Sequence, residues 1–166
     1  MPLMEPWMSG SFTDVHPALR TLLHSLEHVR LEMREWTAGL TTDQLWARPH
    51  GITAAGFHIR HIAGSTERLF TYAEGRRLDE AQLAALKAEA EPGASCEELL
   101  QQVDSMFETV AAKTRLIDPA TLTEPRAIGR KQLPTTVIGL LVHIGEHNLR
   151  HLGQLVVSVK VLRAIG

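Results

Sequence analysis

Three histidines near the end of the chain recur every four residues in the run His143-Ile-Gly-Glu-His147-Asn-Leu-Arg-His151-Leu-Gly-Gln154. Four residues advance a helix by about one turn, so these imidazoles stack on successive turns of one face. Imidazole nitrogens at that spacing are suited to ligating a metal ion. On the helical wheel His147 and His151 fall with Leu140, Ile144, Leu155 and Leu162, the side such a helix turns toward its core. Gly153 gives room there for a neighbouring backbone, and Gln154 offers a donor and an acceptor beside the cluster. Further back, His58 and His61 share an inward face with Ile62, Ser65, Leu69 and Tyr72.

The elements that position these residues are helical. Leu19, Leu22, Leu23, Leu26, Val29, Met33, Trp36 and Leu40 recur at helical spacing and predict a first helix from about Val15 to Leu40, capped by Thr13 or Asp14. His24 and His28 are also four apart, but the wheel turns them away from that apolar face, toward solvent. A turn through Asp43–Trp46 and the break Arg48-Pro-His50-Gly-Ile52 precede a second helix from about Ala54 to Glu74, with Thr53 as cap and Gly75 as stop. Asp79 caps a short helix to about Ala90, whose outer face carries Lys87, Glu89 and Glu91. Ser95 and Glu98 form a capping-box signature for a third long helix to about Ile117. Asp118–Pro134 reads as a long polar crossover and, at that length, as a lid or rim over a pocket. The last helix runs from Thr135 to Ile165. Leu141, Leu149, Leu152, Val156 and Val159 widen its apolar surface, so it is either central in the fold or part of a dimer interface.

Two histidines from the last helix and one from the second supply three nitrogen ligands if these helices are neighbours. Three protein ligands and one free position describe an open, catalytic metal site. The alternative is a set of core histidines, each satisfied by its own partner, at a cost of about 1–3 kcal/mol for each buried group left without one. Zinc-protease chemistry is disfavoured because no glutamate directly follows His143 or His147, and a di-iron carboxylate site because no Glu-x-x-His tetrapeptide occurs. Zinc, nickel, iron or copper suit imidazole ligands. His58, His143 and Gln154 lie beside the ligand positions and are candidates for substrate or ligand-supporting contacts. Glu67 and Glu146 turn away on their wheels, and Tyr72 reads as core. Cys96 lacks a nearby base, and neither a phosphate-binding glycine loop nor a Gly-x-Ser-x-Gly elbow is present.

The bulk numbers narrow the function classes. At 166 residues the chain is expected to form one domain, 1–166, with residues 1–13 loose. A net charge of -2 with dispersed Lys and Arg argues against nucleic-acid partners. A single cysteine rules out an internal disulfide framework and fits a reducing compartment, so a cytoplasmic location is expected. No signal peptide or membrane-length apolar run is visible.

The string Gly56-Phe-His-Ile-Arg-His61-Ile-Ala-Gly-Ser-Thr-Glu-Arg-Leu-Phe-Thr-Tyr-Ala-Glu-Gly75, together with His147-Asn-Leu-Arg-His151-Leu-Gly-Gln154, resembles the DinB/YfiT-like superfamily. That resemblance implies an all-α fold, a four-helix bundle with a short extra helix and a long crossover loop, often dimeric. It also implies a divalent metal such as zinc, nickel or iron held by His61, His147 and His151. Family members with known activities include thiol-dependent transferases and isomerases and metal-dependent hydrolases. The function implied is therefore a metal-dependent enzyme activating a low-molecular-weight thiol or water against a small-molecule substrate. The competing expectation is a non-catalytic dimeric binding or stress-response module with a structural or vestigial metal site.

Overall fold

The computed structural model describes residues 4–165; residues 1–3, the start of the stretch expected to be loose, and residue 166 lie outside it. Within that stretch Pro6–Met8 forms a 3-10 turn and Phe12 packs against the core. Helix α1 spans Pro17–Thr37, with proline at the position where a missing N–H costs nothing. Its cap is the His16 side chain, which accepts from the Ala18 N–H at 3.3 Å, in place of the expected Thr13 or Asp14. Its buried face carries Leu19, Leu22, Leu23, Leu26, Val29 and Met33. The expected turn at Asp43–Trp46 is a five-residue helix, α2 (Thr42–Trp46), opened by a Thr41/Gln44 capping box.

Helix α3 (Ala55–Ala73) begins at Ala54 without a side-chain cap, so Thr53 does not play that part. The short helix α4 (Glu80–Lys87) and the long helix α5 (Cys96–Arg115) open on capping boxes made by Asp79 with Gln82 and by Ser95 with Glu98. The crossover is more ordered than a polar loop. It folds into a hairpin of β1 (Pro125–Ile128) and β2 (Leu133–Thr136), antiparallel, with Pro125 opposite Thr136 and Ile128 opposite Leu133. Positive φ at Gly129 and Gln132 makes the turn between them. Arg126 Nε donates to the Ala73 carbonyl at 2.8 Å, fastening the hairpin to the end of α3.

Helix α6 (Val137–Ile165) follows directly and is the longest element. It packs along α3 on one side and α1 on the other, while α5 packs on α3 and on α1. One core joins these four helices, with Met33, Ile59, Ile62, Leu99, Phe107, Leu140, Ile144 and Leu155 at its centre. Leu141, Leu152 and Val159 are buried inside this chain, whereas Leu149 is 40% exposed. Gly145 rather than Gly153 admits a close neighbour to α6: an added Cβ at Gly145 would stand 3.0 Å from the side-chain Oγ of Ser25 on α1, whereas Gly153 faces open space. None of the described helices is long and apolar enough to cross a membrane.

Candidate metal centre

The packing of α3 on α6 decides which histidines meet. His61 on α3 faces His147 and His151 on α6, and one nitrogen from each lies within 4.8 Å of the others. The contact between His61 Nε2 and His147 Nε2 is 3.0 Å, and the ring centres of His61 and His151 are 4.3 Å apart. All three side chains are half-buried. Phe57, one turn before His61, stacks on its ring at 5.3 Å and 13° and meets His58 edge-on.

His58 is 4% exposed and stands beside the group, its Nδ1 3.1 Å from His151 Nδ1. His143 is placed differently. Its side chain is 41% exposed and its Nδ1 is 2.7 Å from Glu146 Oε1, one turn from His147 and outside the three-residue group. With Glu146 it lines a surface cavity of about 330 Å³ bordered by the hairpin residues Ile128, Pro134 and Thr135. Gln154 is exposed, and no hydrogen bond joins its side chain to a histidine among the described residues. Of the remaining histidines, His24 and His28 are half-buried, not free in solvent. His24 lies 3.3 Å from Ser11 Oγ and against Phe12, and His28 pairs with Glu32 at 3.1 Å. His50 is exposed in its loop, as its sequence setting suggests.

The electrostatics of the group favour neutral rings. Burial, and then the neighbouring His151 and His61, lower the pKa of His58 to about 4. Burial followed by His151 and His61 lowers His147 to about 4, and burial followed by His61 and Arg150 does the same for His151. Neutral imidazoles keep a lone pair on one nitrogen each, the state in which they ligate metals. Three imidazole nitrogens converging without a carboxylate among them fit a borderline divalent cation, so the residues present suit a metal ion.

One residue of the site escapes the sequence pattern. Glu89, expected on the outer face of the short helix, is 4% exposed, with Oε2 2.6 Å from His61 Nδ1 and Oε1 2.7 Å from Arg68 Nη1. It stands past the end of α4, where the chain folds back onto α3. The only sequence signal for it is the neighbouring Pro92-Gly93, which requires a turn soon after it.

A sequence model of the DinB superfamily matches residues 25–155, from within α1 to within α6. No curated protein matches the chain. The matched stretch includes the four long helices for most of their length and all three clustered histidines, and the chain belongs to the DinB superfamily.

Proposed function

We propose that this chain is a divalent-metal-dependent enzyme in which His61, His147 and His151 hold the cation and a low-molecular-weight thiol or a water takes a free position. The observation that carries this reading is the convergence of three imidazole nitrogens within 4.8 Å with no carboxylate in the group. A bound zinc, nickel or iron ion supplies Lewis acidity, which makes a coordinated thiol or water nucleophilic near neutral pH. The protein's own part is positional. His147 and His151 present neutral nitrogens because burial, and then the neighbouring His61 and Arg150, disfavour their protonation, with His151 adding to the effect on His147. Phe57 covers one face of His61 and keeps water from that side.

His58 bears on the competing structural reading, in which a fourth protein ligand closes the site. It spends Nδ1 on His151 and lies outside the three-residue group, which supports an open position. Thiol-dependent turnover of a small electrophile, an epoxide or an activated halide, by metal-loaded protein tests the proposal. Lack of turnover together with a metal that excludes both water and thiols favours the structural module.

The same reading extends to fold and assembly. The pairwise packing of α1, α6, α3 and α5 supports a four-helix bundle of the DinB type. A homodimer is supported by the outer stripe of α6, where Val142 is 51%, Leu149 40% and Val157 56% exposed. Two copies of α6 crossing antiparallel at Gly153, where no neighbouring atom stands within 4 Å of an added Cβ, set Leu149 against Val157 and Glu146 against Lys160. Such a pairing sets apolar residues against apolar ones and opposite charges against each other.

A further inference from the structure

Glu89 belongs to a segment, Lys87-Ala-Glu-Ala-Glu91, whose composition suits a solvated helix end. It is nonetheless buried, and burying a carboxylate costs several kcal/mol unless charge and hydrogen bonds compensate. Helix α3 supplies that compensation from one stripe. Arg68 stands 2.7 Å from Oε1 as an ion pair without a hydrogen-bond alignment, so its contribution is Coulombic. Arg60 donates to the carbonyls of Ala88, Glu89 and Glu91 and ties the segment down. Gly64, between the two arginines, leaves the space the carboxylate needs: an added Cβ would stand 2.7 Å from both Arg68 Nη1 and Glu89 Oε1. His61 completes the set through Nδ1, 2.6 Å from Oε2.

We propose that Glu89 is the positioning residue of the three-histidine centre, fixing His61 as the tautomer that turns an unprotonated Nε2 toward His147 and His151. A neutral imidazole has one N–H and one lone pair, and a carboxylate only accepts. The proton of His61 therefore sits on Nδ1, shared with Glu89, and Nε2 is left free to bind. Nε2 is the atom 3.0 Å from His147 Nε2. A carboxylate behind a ligating imidazole also raises its basicity and fixes its ring orientation. The inference rests on the metal-binding reading above and adds the residue that organises the site. The segment bearing Glu89 also walls a cavity of about 800 Å³ with Arg60, Glu67 and Met106, so the same carboxylate joins the histidines to a cleft between α3 and α5.

The test uses full-length, untagged, isotopically labelled protein. Long-range proton–nitrogen correlations report the tautomer of His61 in the metal-free wild type, and competition with a chromophoric chelator reports zinc affinity. The expected result is an Nδ1–H tautomer in the wild type. In Glu89→Ala that preference is lost and zinc affinity falls about 10–100-fold. Glu89→Gln, which keeps an acceptor oxygen, retains the tautomer and most of the affinity. An Nε2–H tautomer in the wild type overturns the proposal without recourse to any variant, which matters because Glu89→Ala strands Arg68 and can unfold. Unchanged tautomer and affinity in folded Glu89→Ala overturns it equally. Wild-type protein that takes up no zinc contradicts the metal reading instead, while its His61 tautomer still decides the part played by Glu89.

Discussion

Asn148 and Thr66 lock α6 to α3 at a point where both are 0% exposed: the Asn148 amide Nδ2 donates to Thr66 Oγ1 at 2.8 Å. Asn148 adjoins His147, and Thr66 lies little more than a turn past His61, so this pair sets the register in which the histidines meet. Thr66→Val keeps the volume but leaves the Asn148 amide buried without its acceptor, at a cost of about 1–3 kcal/mol. The expected outcome is a melting temperature lower by roughly 3–10 °C. Zinc affinity should fall more than in Val110→Ala, a core change on α5 away from the centre. Equal affinities in the two variants count against a register role.

Gly64→Ala sets two effects of opposite sign against each other. Alanine inside a helix gains about 1 kcal/mol over glycine. Here its Cβ meets the buried Arg68–Glu89 pair at 2.7 Å, and overpacking of that kind costs about 1–3 kcal/mol. The clash wins because Arg68, 8% exposed, and Glu89, 4% exposed, are held by each other and Glu89 also by His61, so either side chain yields only by giving up those contacts. Urea denaturation should show a less stable protein, and a stabilised Gly64→Ala contradicts the tight fit.

Acid should weaken the metal-free protein before its carboxylates titrate. His58, His147 and His151 have native pKa values of about 4 against 6.5 in the unfolded chain. Between those values the unfolded state binds protons that the native state does not, so stability rises with pH across the window. It is complete above pH 6.5 and falls as pH drops toward 4. Urea midpoints at pH 7.5 and pH 5.5 read this, because aspartates and glutamates titrate mostly lower. Equal midpoints contradict neutral native rings.

The antiparallel α6 pairing makes a charge prediction. Glu146→Lys sets like charges against Lys160 of the second copy and should shift light scattering to the monomer mass. Glu146→Lys combined with Lys160→Glu restores opposite charges and the dimer. A monomeric wild type removes the pairing outright.

The helices were legible because their signals are local. Leucines at helical spacing and the caps at Ser95 and Asp79 depend only on neighbouring residues, and those caps form as read. The histidine spacing on α6 is local too, which is why a metal centre is visible in the sequence. What was not legible depends on the chain folding back. Glu89 reads as a solvated charge until the turn at Pro92-Gly93 lays it on α3. The hairpin was hidden because Pro125–Ile128 and Leu133–Thr136 lack strand-like alternation and each contains a proline, a residue that in sheets is confined to edges and strand starts. The wheel of α1 alone turns His24 and His28 toward solvent, and it is Ser11 and Phe12, from the segment before α1, that cover His24.

The central claim is that His61, His147 and His151 hold one cation, and elemental analysis of untagged protein tests it most directly. The account predicts metal near one equivalent per chain in the wild type, collapsing in His147→Ala and in His151→Ala and nearly unchanged in His143→Ala, whose side chain is exposed and engaged with Glu146. Wild-type protein that stays free of metal after reconstitution with zinc, nickel or iron contradicts it and leaves the cluster as core histidines.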